Sequence, residues 1–321
     1  MLIENKLIVD EPLISVVVLA YNQESLISQT IDSILDQRCR YPFEIIISDD
    51  CSNDNTKGIC FEYQKKYPNL IKVFAQPINK GLVINYLDAL FLCRGTYIAK
   101  CDGDDYWIDP LKLEKQCVFL ETYPEYGVVR TGGYCLDVKT NTMEVMKSHS
   151  NDVGYVFEKA TEGALGLASS IFFRKSLLKH INHSDFVTGE FAVDDYPMNV
   201  IFSHYTQFGF ITDLTTVYRL HNSGSRPLND NQKVKYAQGF MNQRLYLKSL
   251  FPEKFKLDLQ EEEEYISYTK LRKAYTFWNH TEAKKLSYSI KGTRKGKIYV
   301  KYAKNGFTFY LLCLVKHITQ K

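Results

Sequence analysis

Short apolar runs alternate with helical patterns through the first part of the chain, and this alternation restricts the fold more than any other feature. The run from Ile14 to Leu19 is typical of a buried parallel strand, and similar runs at 43–48, 71–74 and 96–101 predict three more strands. Between them, apolar residues recur at helical spacing. This succession predicts an α/β fold, with a mostly parallel sheet sandwiched by helices. We expect its ligands beyond the carboxyl ends of the strands.

The middle of the chain is less regular. Asp109 and Pro110 fit the N-cap and the first turn of a helix that reaches about Tyr123. Residues 127–220 then carry glycines and short apolar runs without a clear period. We predict short strands and loops there, with one helix near 196–205.

Charge divides the chain more sharply than its net value of +3 suggests. Residues 1–229 hold 21 Lys and Arg against 29 Asp and Glu, whereas residues 230–321 hold 19 against 8. The second part is also rich in Tyr, Lys, Glu and Leu at helical spacing, with a helix start at 261–264. We therefore predict an α/β domain at 1–229 and a helical, basic C-terminal appendage at 230–321.

The basic character is strongest in residues 265–321, which contain 13 Lys and Arg and one acid, Glu282, with aromatic residues interleaved. Such a mixture suits a surface that rests on anionic lipid headgroups, so one hypothesis is peripheral contact with an anionic membrane. The other is a solvated helical tail whose lysine stems cover its own apolar surface. The sequence leaves both open.

The compartment is predicted from the start of the chain and from the cysteines. The first 12 residues lack the pattern of a secretory signal, and the eight cysteines form no C-x-x-C pair, as is typical of reduced thiols. The longest apolar stretch near the end, 307–315, has about half of the roughly 20 residues needed to cross a bilayer. We expect a cytoplasmic protein, located at most at the inner face of the membrane.

Three aspartate groups stand where such a sheet presents its ligands. Residues 49–54 follow the second strand, residues 102–105 follow the fourth, and Asp194 and Asp195 precede the helix near 196–205. Grouped carboxylates repel one another and are costly to desolvate, so a structural role for all three groups is disfavoured. Oxygen ligands suit Mg²⁺ or Mn²⁺. The alternative is that these aspartates cap the helices that follow them.

These motifs, in this order, resemble the nucleotide-sugar glycosyltransferases of family 2, which have the GT-A fold, over roughly residues 12–225. Asp194-Asp195 stands where the family usually carries Glu-Asp, so the second carboxylate is kept. The other matching segments are 15–24 for the opening strand and nucleotide loop, 49–54 for a D-D-x-S-x-D turn, 79–81 with Asn85 for an N-x-G…N helix start, 102–105 for the D-x-D element, and 218–225 for a Y-R-x-H…S segment.

The resemblance implies a set of donor-binding residues. Ala20, Tyr21, Asn22 and Glu24 would line the nucleoside pocket, and Asp50 would accept a hydrogen bond from N3 of uracil. The alternative for Tyr21 and Asn22 is a plain turn after a strand. Further donor contacts are implied for Ser52, Lys80, Asn85, Asp102, Gly103 and Arg219.

The later motifs provide the implied contacts to the diphosphate and to a metal ion. By resemblance, Asp104 would bind Mn²⁺ or Mg²⁺, and Asp102 would contact the ribose or the metal shell. Arg219 would neutralise the diphosphate, and His221 would complete the coordination or touch the diphosphate. The alternative for His221 is a plain loop histidine.

Asp195 is the candidate general base, which takes the proton of an acceptor hydroxyl as that oxygen attacks the anomeric carbon and inverts it. The implied function is transfer of a sugar from a nucleotide diphosphate sugar, UDP being preferred by family habit, to a glycan or lipid-linked glycan in surface polysaccharide synthesis. Trp107 and Tyr106 could border the donor sugar, although buried packing is the commoner fate of such residues.

Three other functions fit parts of the sequence. A nucleotidyltransferase that makes sugar nucleotides would share the fold and the metal, but it normally has a Gly-rich phosphate loop where this chain has Ala-Tyr-Asn-Gln-Glu. A non-enzymatic, phospho-receiver-like module would explain Asp49 and Asp50 but neither later acidic group. Nucleic-acid binding through the basic tail lacks a recognition motif.

Overall fold

Two units make up the molecule, and each is described separately. The structure is a computed structural model that describes residues 11–146, 152–163, 165–221, 229–277 and 279–288, together with 303, 304, 309 and 313. The first unit is Met1–Thr188 with Val193–Ser225, and the second is Gly189–Ala192 with Arg226–Lys321. The domain division at residue 229 stays a prediction. Most of the basic tail lies outside the described residues, as do positions 222–225 of the Y-R-x-H…S segment.

Nine strands of the first unit join in one sheet within the residues that the structure describes. They are β1 (Ile14–Ala20), β2 (Phe43–Asp49), β3 (Ile71–Ala75), β4 (Tyr97–Asp102), β5 (Tyr106–Trp107), β6 (Tyr126–Asp137), β7 (Thr142–Val145), β8 (Phe172–Arg174) and β9 (Gln207–Leu220). Their order is β3-β2-β1-β4-β8-β6-β9-β5, with β7 beside β6. The first four strands in this order are parallel, as predicted.

Helices connect the strands of the first unit. They are α1 (Ile27–Leu35), α2 (Thr56–Lys66), α3 (Leu82–Leu92), α4 (Lys112–Thr122), α5 (Phe157–Glu162), α6 (His183–Thr188) and α7 (Asp195–Tyr205). Short 3-10 helices stand at Ala168–Ser170 and Lys175–His180. The helix predicted near 196–205 is confirmed as α7.

The core lies around β1 and β2, every residue of which is buried. Ile14 of β1 pairs with Phe43 on one side and with Tyr97 on the other, so β1 is a central strand. A parallel strand covered on both faces needs apolar side chains at consecutive positions, which explains the uninterrupted runs in the sequence. On one face, Ile27 and Ile31 of α1 belong to the same core cluster.

The region predicted to be irregular contains two long strands, and that prediction was wrong in this respect. β6 and β9 pair in parallel along most of their length, with register shifts near Thr131 and Gly132. Gly133 allows a close approach there, because a Cβ at this position would lie 2.5 Å from the carbonyl oxygen of Thr216. Bulges and paired glycines disturb the period of two by which a strand is recognised in sequence.

The start of α4 also differs from the prediction. Asp109 does not cap a helix that begins at Pro110, because α4 begins at Lys112. Oδ1 of Asp109 accepts a hydrogen bond from the backbone nitrogen of Leu111 at 2.8 Å, and its Oδ2 pairs with Nζ of Lys115 at 2.7 Å. The carboxylate therefore fixes the turn that precedes the helix.

The second unit is helical, with α8 (Asp230–Leu250), α9 (Gln260–Thr276) and α10 (His280–Ser287). Asn229 caps α8 through a capping box with Gln232. Gly239 lets α8 approach Gly189–Ala192 closely, since a Cβ would lie 2.8 Å from the nitrogen of Ala192. None of the helices in the described part of the chain is long and apolar enough to cross a membrane.

Lys112, the first residue of α4, is a buried lysine whose side chain has no solvent exposure. Its Nζ donates to Oε1 of Gln116 at 2.6 Å and lies 4.3 Å from the centre of the Trp107 ring. Burial lowers the pKa of Lys112 to about 7, because a buried ammonium group loses its hydration. The folded protein therefore holds this lysine partly neutral at neutral pH.

We expect Lys112→Met to stabilise the protein at pH 7 and to lose that advantage towards pH 10. The unfolded chain keeps the lysine protonated up to about pH 10.5, whereas the folded chain releases the proton near pH 7. The free energy of unfolding of the wild type therefore rises between these values, and the variant lacks this rise. The difference in stability should shrink by about 2–4 kcal/mol between pH 7 and pH 10, as measured by urea unfolding.

Lys65→Met, on the exposed side of α2, is the matched control and should show no such pH-dependent difference. An equal difference between wild type and Lys112→Met at both pH values would contradict this account of Lys112.

Candidate active site

The carboxyl ends of β1, β2 and β4 lie side by side because these strands are parallel. Ala20 pairs with Asp49 at the end of β2, and Leu19 pairs with Asp102 at the end of β4. The loops that follow the three strands therefore leave the sheet from a common edge. This edge carries the first two acidic groups of the sequence and is where ligands of parallel sheets bind.

Asn22 and Ser52 tie together the loops after β1 and β2. The backbone nitrogen of Asn22 donates to Oγ of Ser52 at 3.0 Å, and Oδ1 of Asn22 accepts from the nitrogen of Asn53 at 2.8 Å. Oγ of Ser52 also donates to Oδ1 of Asp49 at 2.5 Å. Asn22 has a φ of 53°, a left-handed conformation that asparagine adopts more readily than most residues. Both residues shape the loops through their side chains.

Glu24 extends the same network, and Tyr21 belongs to the same loop after β1. Oε2 of Glu24 accepts from the nitrogen of Asn55 at 2.9 Å. Ala20 is buried and accepts from the nitrogen of Asp50 at 2.9 Å through its carbonyl oxygen. The Tyr21 side chain is 43% exposed. A fixed loop pair that exposes one aromatic ring can stack a nucleobase.

Asp50 directly follows β2 and is almost fully buried. Its Oδ1 accepts from the nitrogen of Lys80 at 2.8 Å, and its Oδ2 accepts from the nitrogen of Gly81 at 2.9 Å. Burial raises the pKa of Asp50, although these two hydrogen bonds act in the opposite direction. The carboxylate thus anchors the turn that opens α3.

Lys80 and Asn85 belong to the frame around Asp50. Nζ of Lys80 pairs with Oδ2 of Asp88 at 2.8 Å. Asn85 is buried, and its amide accepts from Oγ of Ser48 at 2.7 Å and donates to the carbonyl oxygen of Ser48 at 3.1 Å. Asn85 therefore joins α3 to β2, and its contact with the donor stays a prediction.

Gly103 follows β4 at a point where only glycine fits. A Cβ there would lie 2.2 Å from Oε1 of Gln23 and 2.7 Å from the carbonyl oxygen of Leu19. Its own nitrogen donates to that carbonyl at 2.8 Å. Gly103 is thus needed for the close packing of the D-x-D turn against β1, and a direct contact with the donor stays a prediction.

Arg219, near the end of β9, is buried against the D-x-D turn. Its guanidinium group donates to the carbonyl oxygen of Asp104 at 2.5 Å and also to Gln29, and it lies 4.4 Å from the centre of the Tyr106 ring. The backbone nitrogen of Arg219 donates to Oδ1 of Asp105 at 3.1 Å. These contacts bring the two halves of the sheet together at the predicted diphosphate position.

His221 directly meets the predicted metal ligand. Its Nε2 lies 3.0 Å from Oδ2 of Asp104. Both side chains are mostly buried, with exposures of 12% and 21%. The structure thus brings together two predicted metal ligands that are separated by more than a hundred residues in the sequence.

Lys100 links the D-x-D turn to the third acidic group. Its Nζ pairs with Oδ2 of Asp194 at 2.6 Å and with Oδ1 of Asp102 at 3.1 Å. The Tyr86 ring centre lies 4.8 Å from the same nitrogen. Burial alone would lower the pKa of Lys100, but Asp102 and Asp194 raise it above its usual value. Lys100 is therefore a charged side chain inside the sheet.

Asp195, the predicted base, is the first residue of α7. Burial and the neighbouring Asp194 raise the pKa of Asp195, while Lys100 and Arg130 act in the opposite direction. Arg130 of β6 is buried and donates to Oδ1 of Asn199 at 2.6 Å. A carboxylate with a raised pKa is a stronger proton acceptor than an ordinary aspartate, which suits a general base.

The site contains more carboxylates than cations. Five carboxylates, at positions 102, 104, 105, 194 and 195, stand with the cationic side chains of Lys100, Arg130 and Arg219. Burial raises the pKa of Asp102 to about 6 and that of Asp105 well above its usual value. An additional positive charge in the site would favour the ionised form of these groups.

The donor set fits a metal ion that binds together with a substrate. Within the described residues, no group of three or more His, Cys, Asp or Glu side chains is arranged to hold a metal ion. Asp104 and His221 offer two ligands side by side. Mg²⁺ is commonly held by one or two carboxylates and completed by substrate phosphates, so Asp104 and His221 could hold such an ion only with a diphosphate present.

Sequence reasoning missed several residues of the site. Lys100 and Arg130 were not predicted as site residues. A signal for Lys100 was present, because a lysine is rare in a buried strand such as the one predicted at 96–101. The contact of Ser169 with the acidic group was not predicted, and its Oγ donates to Oδ2 of Asp105 at 2.6 Å. Trp107 is buried, and its Nε1 donates to the carbonyl oxygen of Ser169 at 3.0 Å, so it packs inside the domain.

The fold and this acidic edge define a GT-A-like α/β protein. The model of glycosyl transferase family 2 matches residues 15–182, just over half of the chain. The chain therefore belongs to glycosyl transferase family 2, which confirms the resemblance seen in the sequence. This membership favours the transferase hypothesis over the three alternatives.

One curated relative is the putative teichuronic acid biosynthesis glycosyltransferase TuaG of Bacillus subtilis. It is 38% identical over 110 residues, which cover 34% of this chain and 42% of TuaG. The first curated relatives that match, from mycobacteria, are covered over only 33% of their length. The similarity is thus concentrated in a segment that makes up a minority of each protein.

Two solved structures share the fold over almost the whole chain. TarS of S. aureus (residues 1–349, in complex with UDP-GlcNAc) is 15% identical and has a TM-score of 0.56, with 96% of this chain and 92% of that chain covered. The mannosyltransferase PcManGT of Pyrobaculum calidifontis, in complex with GDP-Man and Mn²⁺, is 15% identical with a TM-score of 0.52, covering 97% and 88%. At this identity the likeness concerns the fold alone.

Proposed function

We propose that the protein transfers a sugar from a nucleotide diphosphate sugar to a hydroxyl group of a glycan acceptor, with inversion at the anomeric carbon. The observation that carries this proposal is the meeting of Asp104, His221 and Arg219 at the edge where Asp194 and Asp195 also stand. Such an edge offers a diphosphate both ligands for its cation and a guanidinium group. It also offers the acceptor a base.

The donor end of the proposal uses the loops after β1, β2 and β4. Tyr21 stacks on the nucleobase, and Asp50 keeps lone pairs for its N–H groups beside the two backbone bonds that it already accepts. Asp104 and His221 would hold Mn²⁺ or Mg²⁺, and such an ion would neutralise the leaving diphosphate. Arg219 adds charge-assisted hydrogen bonds to the same oxygens.

The chemical step needs one proton acceptor. The acceptor hydroxyl oxygen attacks the anomeric carbon, its proton passes to the carboxylate of Asp195, and the anomeric carbon–oxygen bond breaks with its electron pair going to the diphosphate. Attack from the face opposite the leaving group inverts the anomeric centre. The raised pKa of Asp195 makes it a better proton acceptor for this step.

The relatives support the proposed substrate classes. TarS was solved with UDP-GlcNAc, and TuaG is named for teichuronic acid biosynthesis, which supports a UDP-sugar donor and an acceptor in surface polysaccharide synthesis. PcManGT was solved with Mn²⁺, which supports a divalent metal ion. A lipid-linked acceptor would be met by a cytoplasmic enzyme at the inner face of the membrane.

We expect Asp195→Asn to lower kcat for sugar transfer by about 10²–10⁴, because the acceptor hydroxyl loses its base. The dissociation constant for UDP should change by less than about threefold, since the base does not touch the donor in this scheme. Steady-state kinetics with a panel of UDP-sugars and calorimetry with UDP measure the two quantities. Asp36→Asn, an exposed aspartate after α1, is the matched control. Turnover within a few-fold of the wild type would rule out Asp195 as the base.

Peripheral membrane contact through residues 265–321 is the second part of the proposal. The excess of Lys and Arg in this segment supports it. The full chain should co-sediment with vesicles that contain anionic lipid and not with neutral vesicles. The exchange of Lys291, Arg294, Lys295 and Lys297 for Gln should weaken that binding by at least about threefold. Exchange of Lys57, Lys65 and Lys66 for Gln is the control. Equal binding by all three proteins would contradict a role of the tail.

A further inference from the structure

Lys100 is the most unusual residue of the site because it is a lysine at the centre of a buried parallel strand. Its neighbours in β4 and the residue paired with it in β1, Val17, are apolar and buried. The Lys100 side chain is 3% exposed. A buried ammonium group is costly unless it is paired and hydrogen-bonded, so its environment must supply partners.

Both partners of Lys100 are carboxylates from different parts of the site. Nζ reaches Oδ2 of Asp194 at 2.6 Å and Oδ1 of Asp102 at 3.1 Å. Asp102 ends β4 and opens the D-x-D turn on the donor side. Asp194 is the N-cap residue of α7 and directly precedes Asp195. One nitrogen atom thus connects the donor side and the base side.

Without a cation between them, these two carboxylates would repel each other. Like charges held close together repel, and the low polarity of the interior strengthens the repulsion. The Tyr86 ring, itself buried, lies 4.8 Å from the ammonium group and favours its position. The nitrogen is therefore held by two ionic contacts and one aromatic ring.

We propose that Lys100 is a positioning residue, which fixes the start of α7, and with it Asp195, relative to the donor-binding D-x-D turn. This inference rests on the proposed function, because it states that one side chain sets the distance between the bound donor and the base. Lys100 touches neither the donor nor the acceptor in this scheme. Its loss should therefore impair the chemical step more than the binding of the nucleotide.

The test compares three variants with the wild type in transfer kinetics, UDP calorimetry and thermal unfolding. Lys100→Met leaves Asp194 and Asp102 unpaired and should lower the melting temperature. Lys100→Met combined with Asp194→Asn also removes one of the two buried carboxylate charges, so it should regain most of that melting temperature. Lys175→Met is the matched control, a half-buried lysine whose Nζ donates to the carbonyl oxygen of Cys93 at 2.6 Å.

The proposal predicts that the double variant is folded and binds UDP within about fivefold of the wild type, yet has a kcat at least about 100-fold lower. A double variant that transfers sugar within threefold of the wild type would overturn it. So would a double variant that fails to fold, because Lys100 would then be a structural residue. Absence of transfer by the wild type contradicts the proposed function itself, whereas a loss confined to the Lys100 variants concerns only the positioning role.

Discussion

The convergence of carboxylates at the end of a buried parallel sheet is the constraint on which the rest of the structure depends. Parallel pairing of β1 with β2 and β4 brings their ends to one edge, and α7 adds a further pair of aspartates. Such a concentration of charge in a poorly hydrated place is unfavourable unless cations stand within it. Lys100, Arg130 and Arg219 come from three different strands of the same sheet to meet this need.

Hydrogen bonds between loops orient the groups of this edge without any ligand. The loops after β1 and β2 exchange hydrogen bonds through Asn22, Ser52 and Glu24, and Asp50 holds the turn that opens α3. Groups that are already oriented lose little freedom when a ligand arrives. A divalent cation would add positive charge next to these carboxylates, and the oxygens of a diphosphate would complete its coordination.

Much of the first half could be predicted from sequence because its signals are local. The apolar run at 14–19 correctly predicts β1, and Gly81 correctly predicts the start of α3. A buried parallel strand needs consecutive apolar residues, and an N-cap residue with a positive φ favours glycine. β6 and β9 were not predicted as long strands, because bulges and glycines disturb the alternation of apolar and polar residues in their sequences. Their pairing depends on contacts between distant residues, which no local pattern records.

The site could be predicted as a set of motifs and not as an arrangement of contacts. Asp104 and His221 were both named from sequence, and the structure brings them together. The two hydrogen bonds between the Asn85 amide and Ser48 were not predicted, because the direction of a side chain follows from tertiary packing. Lys100 was not named from the sequence. Its importance comes from its two ion-pair partners, Asp102 and Asp194, and Asp194 lies nearly a hundred residues away in the sequence.

In the proposed function, the acidic edge binds a nucleotide diphosphate together with a divalent cation. Calorimetric titration of the wild type with UDP, in Mn²⁺ and then in EDTA, tests it most directly. We expect UDP to bind at least about tenfold more tightly with Mn²⁺, and Asp104→Asn to remove most of this difference, because Asp104 supplies a ligand of the cation that the diphosphate completes. Equal affinity for UDP with and without Mn²⁺, or no binding of UDP in either condition, would contradict the account.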